Sequence, residues 1–129
     1  MLDHIGINVS DFGRSKAFYR AALAPLGYEI RKEHPTGAGF GAADAAGRLL
    51  DPGGDFWIFQ GEPQVPRVHV AFNAKSRATV DAFFEAALAA GGRSNGAPGL
   101  RPQYHPDYYG AFILDPDGYN IEAVCHQPA

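Results

Sequence analysis

The chain carries one segment pattern twice, about 65 residues apart. The segments HIGINV (4–9) and HVAFNA (69–74) both place histidine, a small residue and asparagine at alternate positions. The turn DPGG (51–54) is matched by DPDG (115–118), 64 residues later. Such self-similarity predicts two copies of one structural unit. A chain of 129 residues suits a single domain, residues 1–129. We expect module one over 1–62 and module two over 66–126 within it.

Each module has the pattern of a strand, a helix and three further strands. Alternating apolar residues predict strands at 2–9 and 68–73. Ser10 or Asp11 is a typical N-cap for the first helix, and the second helix is expected over 76–90. Further strands are predicted at 28–33, 56–60, 109–114 and 119–125, whereas 38–50 is unassigned and the Gly/Pro-rich segment 94–103 is predicted to be a long loop. The predicted fold class is α+β, with two βαβββ modules in one domain.

The two repeated histidines are predicted to lie on equivalent faces. Side chains alternate across a strand, so His4 and His69 point away from the apolar residues that pack under each helix. Glu122 joins their face if its apolar neighbours in the last strand pack inward. Two imidazoles and one carboxylate suit a divalent ion such as Zn, Fe, Mn, Ni or Co, with positions left open for substrate.

Each of these residues also has a simpler interpretation. A single histidine in a strand is more often a hydrogen-bonded structural residue, and a single glutamate is usually solvated. The repeat-equivalent placement of His4 and His69, together with Glu122 on the matching face, strengthens the metal-site interpretation and leaves both interpretations open.

Three stretches of the sequence resemble a known family. The segments HIGINVSDFGRSKAFYRAALAPLGYE, HVAFNAKSRATVDAFFEAALAAGG and AFILDPDGYNIEAV resemble the vicinal oxygen chelate superfamily. This superfamily includes glyoxalase I, the bleomycin-resistance proteins and the extradiol dioxygenases. The resemblance covers nearly the whole chain. It implies paired βαβββ modules whose mixed sheets curl into a cup, and members that often form homodimers, some by exchanging modules.

The resemblance also implies a ligand set. The family's metal ligands lie in the first and last strands of each module, which gives His4, His69 and Glu122 here. Counting four residues past the turn glycine places Ile58 in the fourth position. Neither Ile58 nor its neighbour Trp57 can bind a metal. The departure counts against glyoxalase I activity and favours a three-ligand pattern like that of extradiol dioxygenases or fosfomycin-modifying thiol transferases.

Other candidate site residues come from the segment before the last two strands and from the strand at 56–60. His105 is a candidate proton shuttle, and Tyr109 is a second catalytic candidate beside Glu122. The candidates for substrate binding are Trp57, Phe59, Arg101, Tyr104 and Tyr108. The alternative is that these tyrosines pack on the rim of the sheet, that Arg101 is solvated, and that the two other aromatic residues belong to the core.

Composition narrows the range of functions. A net charge of −3, with scattered arginines and lysines, argues against nucleic acid as a partner. One cysteine, Cys125, cannot form an internal disulfide, and no signal peptide or apolar span is evident. We therefore expect a cytoplasmic protein without membrane contact.

Three functions remain open from the sequence. The first is a metal-dependent enzyme that acts on a small oxygen-rich substrate by lyase, isomerase, dioxygenase or thiol-transfer chemistry. The second is a metal-free protein that binds and sequesters a small molecule, as bleomycin-resistance proteins do. The third is a vestigial cup in a protein that acts only through a partner.

Overall fold

The computed structural model describes residues 1–129, which form two βαβββ halves. Both helices begin where the sequence predicts. The side chain of Asp11 accepts the backbone N–H of Arg14 at the start of α1, and that of Ser76 accepts the N–H of Thr79 at the start of α2. A short 3-10 helix, Ala24–Leu26, follows α1. The elements are β1 Ile5–Val9, α1 Phe12–Ala22, β2 Glu29–His34, β3 Gly37–Gly41, β4 Phe56–Gln60, β5 His69–Asn73, α2 Arg77–Ala89, β6 Arg93–Leu100, β7 Tyr109–Leu114 and β8 Asn120–Cys125.

Each half forms its own four-stranded mixed sheet. The strand orders are β1-β4-β3-β2 and β5-β8-β7-β6. In both sheets the first and last strands of the half are parallel neighbours, and the other pairs are antiparallel. The predicted repeat and the fold class are therefore confirmed.

One hydrophobic core joins the two halves. The inward faces of both sheets contribute to it together with both helices. Phe56 of β4 meets Phe72 of β5 edge to face, with ring centroids 5.2 Å apart. Cys125 lies in this core and is fully buried. Because the apolar faces point toward each other, the opposite face of each sheet points outward.

A buried polar contact also ties the halves together. Tyr19 of α1 donates a hydrogen bond from its hydroxyl to Asp115, in the turn before β8. The other carboxylate oxygen of Asp115 accepts the N–H groups of Asp117 and Tyr119, both at 2.9 Å. Burial raises the pKa of Asp115, although these hydrogen bonds oppose the rise. The turn of module two is thus anchored on the helix of module one.

The predicted loop at 94–103 is wrong over most of its length. Residues Arg93–Leu100 form strand β6, in spite of two glycines and a proline. This strand lies at the edge of its sheet, and its pairing with β7 shifts register on both sides of Gly96. An edge strand tolerates proline and bulges because one side of its backbone needs no partner.

Strand pairing shows that Ile58 is not the repeat equivalent of Glu122 that counting from the turn glycine predicted. Gly6 pairs with Trp57 in the first sheet, and its repeat equivalent Ala71 pairs with Glu122 in the second. The residue equivalent to Glu122 is therefore Trp57. The spacing of 65 residues that relates the first strands of the two modules also relates Trp57 to Glu122, whereas the two turns are 64 residues apart. Ile58 instead lies fully buried in the core.

No helix of the structure is long and apolar enough to cross a membrane.

Candidate functional site

His69 and Glu122 lie in contact on the outward face of the second sheet. Their strands, β5 and β8, are adjacent and parallel, and the imidazole Nε2 is 2.9 Å from the carboxylate Oε1. The Glu122 side chain is 2% exposed, whereas that of His69 is 46% exposed. A buried acid is thus held beneath an accessible imidazole.

The second nitrogen of His69 determines what can lie between the two groups. Nδ1 is 2.9 Å from the backbone oxygen of Asn120, a group that only accepts hydrogen bonds. Nδ1 therefore carries a hydrogen, and in the neutral ring Nε2 presents its lone pair to Glu122. Two lone pairs at this distance require a proton or a cation between them. This donor set fits a divalent metal, since a ligating histidine commonly donates its other N–H to a carbonyl.

Tyr108 holds the other oxygen of Glu122. Its hydroxyl donates to Oε2, and a Cβ at Gly110 would lie only 3.1 Å from the same oxygen. Burial, reinforced by the hydrogen bond to Glu122, raises the pKa of Tyr108 above its usual range. The phenol therefore stays protonated and remains a donor at neutral pH.

An open pocket of ≈ 400 Å³ lies above this acid. Its walls include Tyr104, Tyr108 and Phe112, and Tyr104 is 60% exposed. Arg101 lies with its guanidinium carbon 5.4 Å from the centre of the Phe112 ring. The same guanidinium donates to the backbone oxygens of Ala97 and Gly99, both at 2.8 Å. Arg101 is therefore fixed on β6 and carries its positive charge beside the pocket.

His105 forms a pair with His126, a residue that the sequence did not single out for the site. Nδ1 of His105 accepts the backbone N–H of Asp107, at 3.1 Å. Its Nε2 must then carry the hydrogen, and it lies 2.8 Å from Nδ1 of His126. Tyr108 packs edge-on against both rings, with centroids 5.5 and 5.4 Å away. The pair thus supports the phenol that holds Glu122.

His4 lies elsewhere, in the open pocket of the first sheet. Its Nδ1 is 2.6 Å from Asp3 and 3.8 Å from Asp51. The hydrogen bond to Asp3 is the main cause of a raised pKa at His4. Asp3, His4 and Asp51 form the single cluster of three ligand groups close enough to share an ion. The structure therefore does not bring His4 together with His69 and Glu122 within one chain.

Trp57 and Phe59 share the pocket with His4 and not with Glu122. They line a space of ≈ 370 Å³ together with Gly6 and Asp51. Their rings are nearly parallel, at 9°, with centroids 5.8 Å apart. Neither ring belongs to the core, so the alternative interpretation of these two aromatic residues does not hold.

Tyr109 lies on the opposite side of its sheet. Its hydroxyl donates to Asp81 of α2, at 2.7 Å, and Arg77 lies over its ring, 5.3 Å from the centroid. Glu122 pairs instead with Phe112, which faces outward. Tyr109 therefore contributes to packing against the helix and has no contact with the acid.

The sequence missed four contributors to the site. The backbone oxygen of Asn120 and the carboxylate of Asp51 left no signal, because each meets its histidine only in the folded chain, whereas Asp3 directly precedes His4. His126 left one: it lies four residues after Glu122 and shares its strand parity. That parity is what brings it to the outward face, beside His105.

Comparisons with known proteins agree with this fold. The model of the Glyoxalase/Bleomycin resistance protein/Dioxygenase superfamily matches residues 1–123. A glyoxalase/bleomycin resistance protein from Albidiferax ferrireducens T118 is 30% identical, with 98% of both chains covered and a TM-score of 0.76. A search of curated proteins found no match.

Two more distant structures share the fold alone. One is a glyoxalase/bleomycin resistance protein/dioxygenase family enzyme from Burkholderia phytofirmans PsJN, 18% identical over 98% of both chains, with a TM-score of 0.70. The other is a glyoxalase-related enzyme from Fulvimarina pelagi, also 18% identical, over 97% of this chain and 87% of that chain, with a TM-score of 0.70. With a family model that spans residues 1–123 and a relative of 30% identity over 98% of its length, the chain belongs to the glyoxalase/bleomycin resistance/dioxygenase superfamily.

Proposed function

We propose that the protein is a metal-dependent enzyme that acts on a small oxygen-rich substrate. His69 and Glu122 would hold one divalent ion, and His4 from a second copy would complete the set. The observation that supports this is the pair of facing lone pairs at His69 and Glu122, 2.9 Å apart. Without a metal, that pair must retain a proton, which an incoming ion would displace.

The placement of His4 supports a homodimer as part of this proposal. The two sheets turn their polar faces outward and away from a shared core, and His4 and His69 line different pockets. A second copy laid against these faces could bring the His4 pocket of one chain to the Glu122 pocket of the other. A two-fold dimer would contain two such sites.

A divalent ion in this position supplies Lewis-acid stabilisation of negative charge on substrate oxygens. The residues of the chain would do the rest. Tyr108 keeps Glu122 oriented by donating to its second oxygen. Phe112 and Tyr104 would form the walls beside the substrate, and Arg101 would add positive charge there. Since Nε2 of His105 is engaged with His126, a proton-shuttle role requires that bond to open first. Lyase, isomerase, dioxygenase and thiol-transfer reactions all fit these residues.

Metal content tests the proposal. Protein purified without a histidine tag is analysed for bound metals, together with His69→Ala and Glu122→Gln. We expect near-stoichiometric metal in the wild type and little in either variant. Wild-type protein that takes up none of Zn, Fe, Mn, Ni or Co would contradict the proposal.

Mixing two defective variants tests whether the site is shared between chains. His4→Ala and Glu122→Gln each remove one ligand from every site of their own homodimer. In a mixed dimer, one site carries both defects and the other has neither. Random reassociation should restore metal to about a quarter of all sites. If the mixture binds no metal while wild type does, the ligands do not come from two chains.

Metal-free binding of a small molecule is the second candidate function. The open aromatic face of Trp57 and Phe59 favours it, because such a face needs no metal to bind a ligand. Ligand binding that is unchanged by a chelator, in protein that takes up no metal, would select this function.

A further inference from the structure

We propose that the protein has a second ligand site, in a cavity between its two sheets, which takes a small primary ammonium ion on Asp55. This site is separate from the outward faces of the sheets and needs no metal, so it goes beyond the function proposed above. Two features support it: a cavity with apolar walls, and an acidic side chain at its border with one buried oxygen that lacks a hydrogen bond.

The cavity lies where the two sheets meet. Strands β1 and β5 are each the end strand of their own sheet, and both contribute to a space of ≈ 250 Å³. Val70 and Phe72 in its wall belong to the shared core, and Ile5 packs against that core. The cavity shares no lining residue with the pocket of His4, and only His69 with the pocket above Glu122. It is therefore a distinct space on the inner side of the sheets.

Asp55 is the acidic side chain at the border of the cavity. Its Oδ2 accepts a hydrogen bond from the Tyr28 hydroxyl, at 3.1 Å. Its Oδ1 is buried and has no hydrogen-bond partner, and no other buried carboxylate oxygen of the chain is left in that state. A buried acceptor without a donor is unfavourable, and more so when it carries charge. A donor that reached Oδ1 would therefore be bound favourably.

The charge around Asp55 favours a cationic donor. No lysine or arginine lines the cavity. His69 does line it, but both of its ring nitrogens are engaged, by Asn120 and by Glu122. The charge of Asp55 is thus not neutralised within the cavity. Because hydrogen bonds from a cation to a carboxylate are stronger than those between neutral groups, a charged donor suits Asp55 best.

One oxygen of Asp55 stays with Tyr28 while the other can meet a ligand. Burial, followed by the hydrogen bond to Asp55, raises the pKa of Tyr28 above its usual range, so the phenol remains a donor at neutral pH. The terminal torsion of an aspartate is soft, and a small rotation of the carboxylate would turn Oδ1 toward the cavity. A single carboxylate oxygen among apolar walls does not suit a divalent metal, which needs several ligand atoms.

The size and the walls of the cavity define the rest of the ligand. A space of ≈ 250 Å³ lies just below the usual range for small-molecule sites and suits an alkyl chain of about five carbon atoms. The apolar walls would bury that chain. Leu2 and Asp3 at the border are exposed, which leaves the remaining N–H groups of the ammonium ion to water. We therefore commit to a short primary alkylammonium ion.

The test compares three probes with the same alkyl chain. Pentylamine is charged at neutral pH, as a lysine amine is, and 1-pentanol is its neutral counterpart. Pentyltrimethylammonium keeps the charge but has no N–H donor. Affinities are measured by NMR titration of the full chain in EDTA, so that metal plays no part. We expect pentylamine to bind about tenfold more tightly than either of the others, from a hydrogen bond to a charged acceptor. Burial of the alkyl chain alone predicts no such preference.

The same titration shows where the probe binds. Amide signals of Asp55 and Val70 should move together, with one concentration dependence. Those of Arg101 and Tyr104, beside the pocket above Glu122, should stay in place. Signals that move only around that second pocket would overturn the inference.

Three variants show whether Asp55 causes the preference. Asp55→Asn keeps an acceptor for the Tyr28 hydroxyl but removes the charge, and should bring the ratio of amine to alcohol affinity close to one. Asp3→Asn is the matched control, since it removes the same charge from an exposed side chain at the border of the cavity, and should change the ratio by about twofold at most. Tyr28→Phe frees Oδ2 and should keep the preference.

The outcomes separate this inference from the proposed function. Equal affinities for pentylamine and pentanol in wild type, or an unchanged ratio in Asp55→Asn, would overturn the inference even if metal binds fully. Failure of every probe to bind would also overturn it, because water alone would then satisfy Asp55. Amine binding at Asp55 in a chain that takes up no metal would retain this site and reject the metal-dependent enzyme.

Discussion

Glu122→Gln should separate the stability of the fold from the binding of metal. In the wild type without metal, a proton must lie between His69 Nε2 and Glu122 Oε1, because Nδ1 of His69 is committed to Asn120. The glutamine amide can donate to that nitrogen, and its oxygen can still accept from Tyr108. Each hydrogen-bonding group of His69 and of residue 122 then has a partner, and no additional proton is needed between the two side chains. We expect the metal-free variant to stay within about 1 kcal/mol of wild-type stability.

The response to metal should differ sharply between the two proteins. A ligand at 100 times its dissociation constant stabilises a folded protein by about 2.7 kcal/mol. For a chain of 129 residues, that stabilisation raises the melting temperature by about 10 °C. Wild type should show this shift with its preferred ion, and Glu122→Gln should show none, because a neutral amide replaces the charged ligand.

Thermal melts with and without EDTA measure both effects in one experiment. Tyr108→Phe is the matched control, since it removes only the hydrogen bond from the Tyr108 hydroxyl to Oε2 of Glu122. It should weaken metal affinity about tenfold and still show a shift at saturating metal. A full metal-induced shift in Glu122→Gln would refute the reasoning, because the ion would then be bound elsewhere. A large loss of stability in the metal-free variant would show that the charge itself supports the fold.

Three further predictions concern the stability of the fold. Tyr19→Phe leaves a buried oxygen of Asp115 without its donor and should cost about 1–3 kcal/mol in chemical denaturation. Because burial raises the folded-state pKa of Asp115 above its ordinary value near 3.8, the folded state binds the proton more tightly. Wild type should therefore lose stability relative to Asp115→Asn as pH rises through the range just above 3.8, and equal slopes in the two proteins would contradict this. Asp11→Ala removes the N-cap bond of α1 and should lower stability by about 1 kcal/mol, whereas an unchanged unfolding midpoint would mean that water replaces the cap. 

Much of the fold could be predicted because it follows from local periodicity and repetition. The strands at 56–60 and 109–114 have the bounds predicted from the sequence. Strand β6 escaped prediction because an edge strand can hold the glycines and proline that usually mark a loop. The equivalence of Trp57 and Glu122 also escaped, since it depends on pairing register and not on the spacing from the turn.

For the site, the sequence by itself determined which side chains share a face. Strand parity put His69 and Glu122 on one side of the second sheet, and the same rule applies to His4 in the first, because alternation is a property of any extended chain. Only the tertiary structure decided which faces meet. The two sheets pack their apolar sides on one core, so His4 lies with Asp3 and Asp51 while His69 lies with Glu122. Strand parity is a local property of the chain. Which way each face of a sheet points is instead decided by where its apolar side chains can be buried.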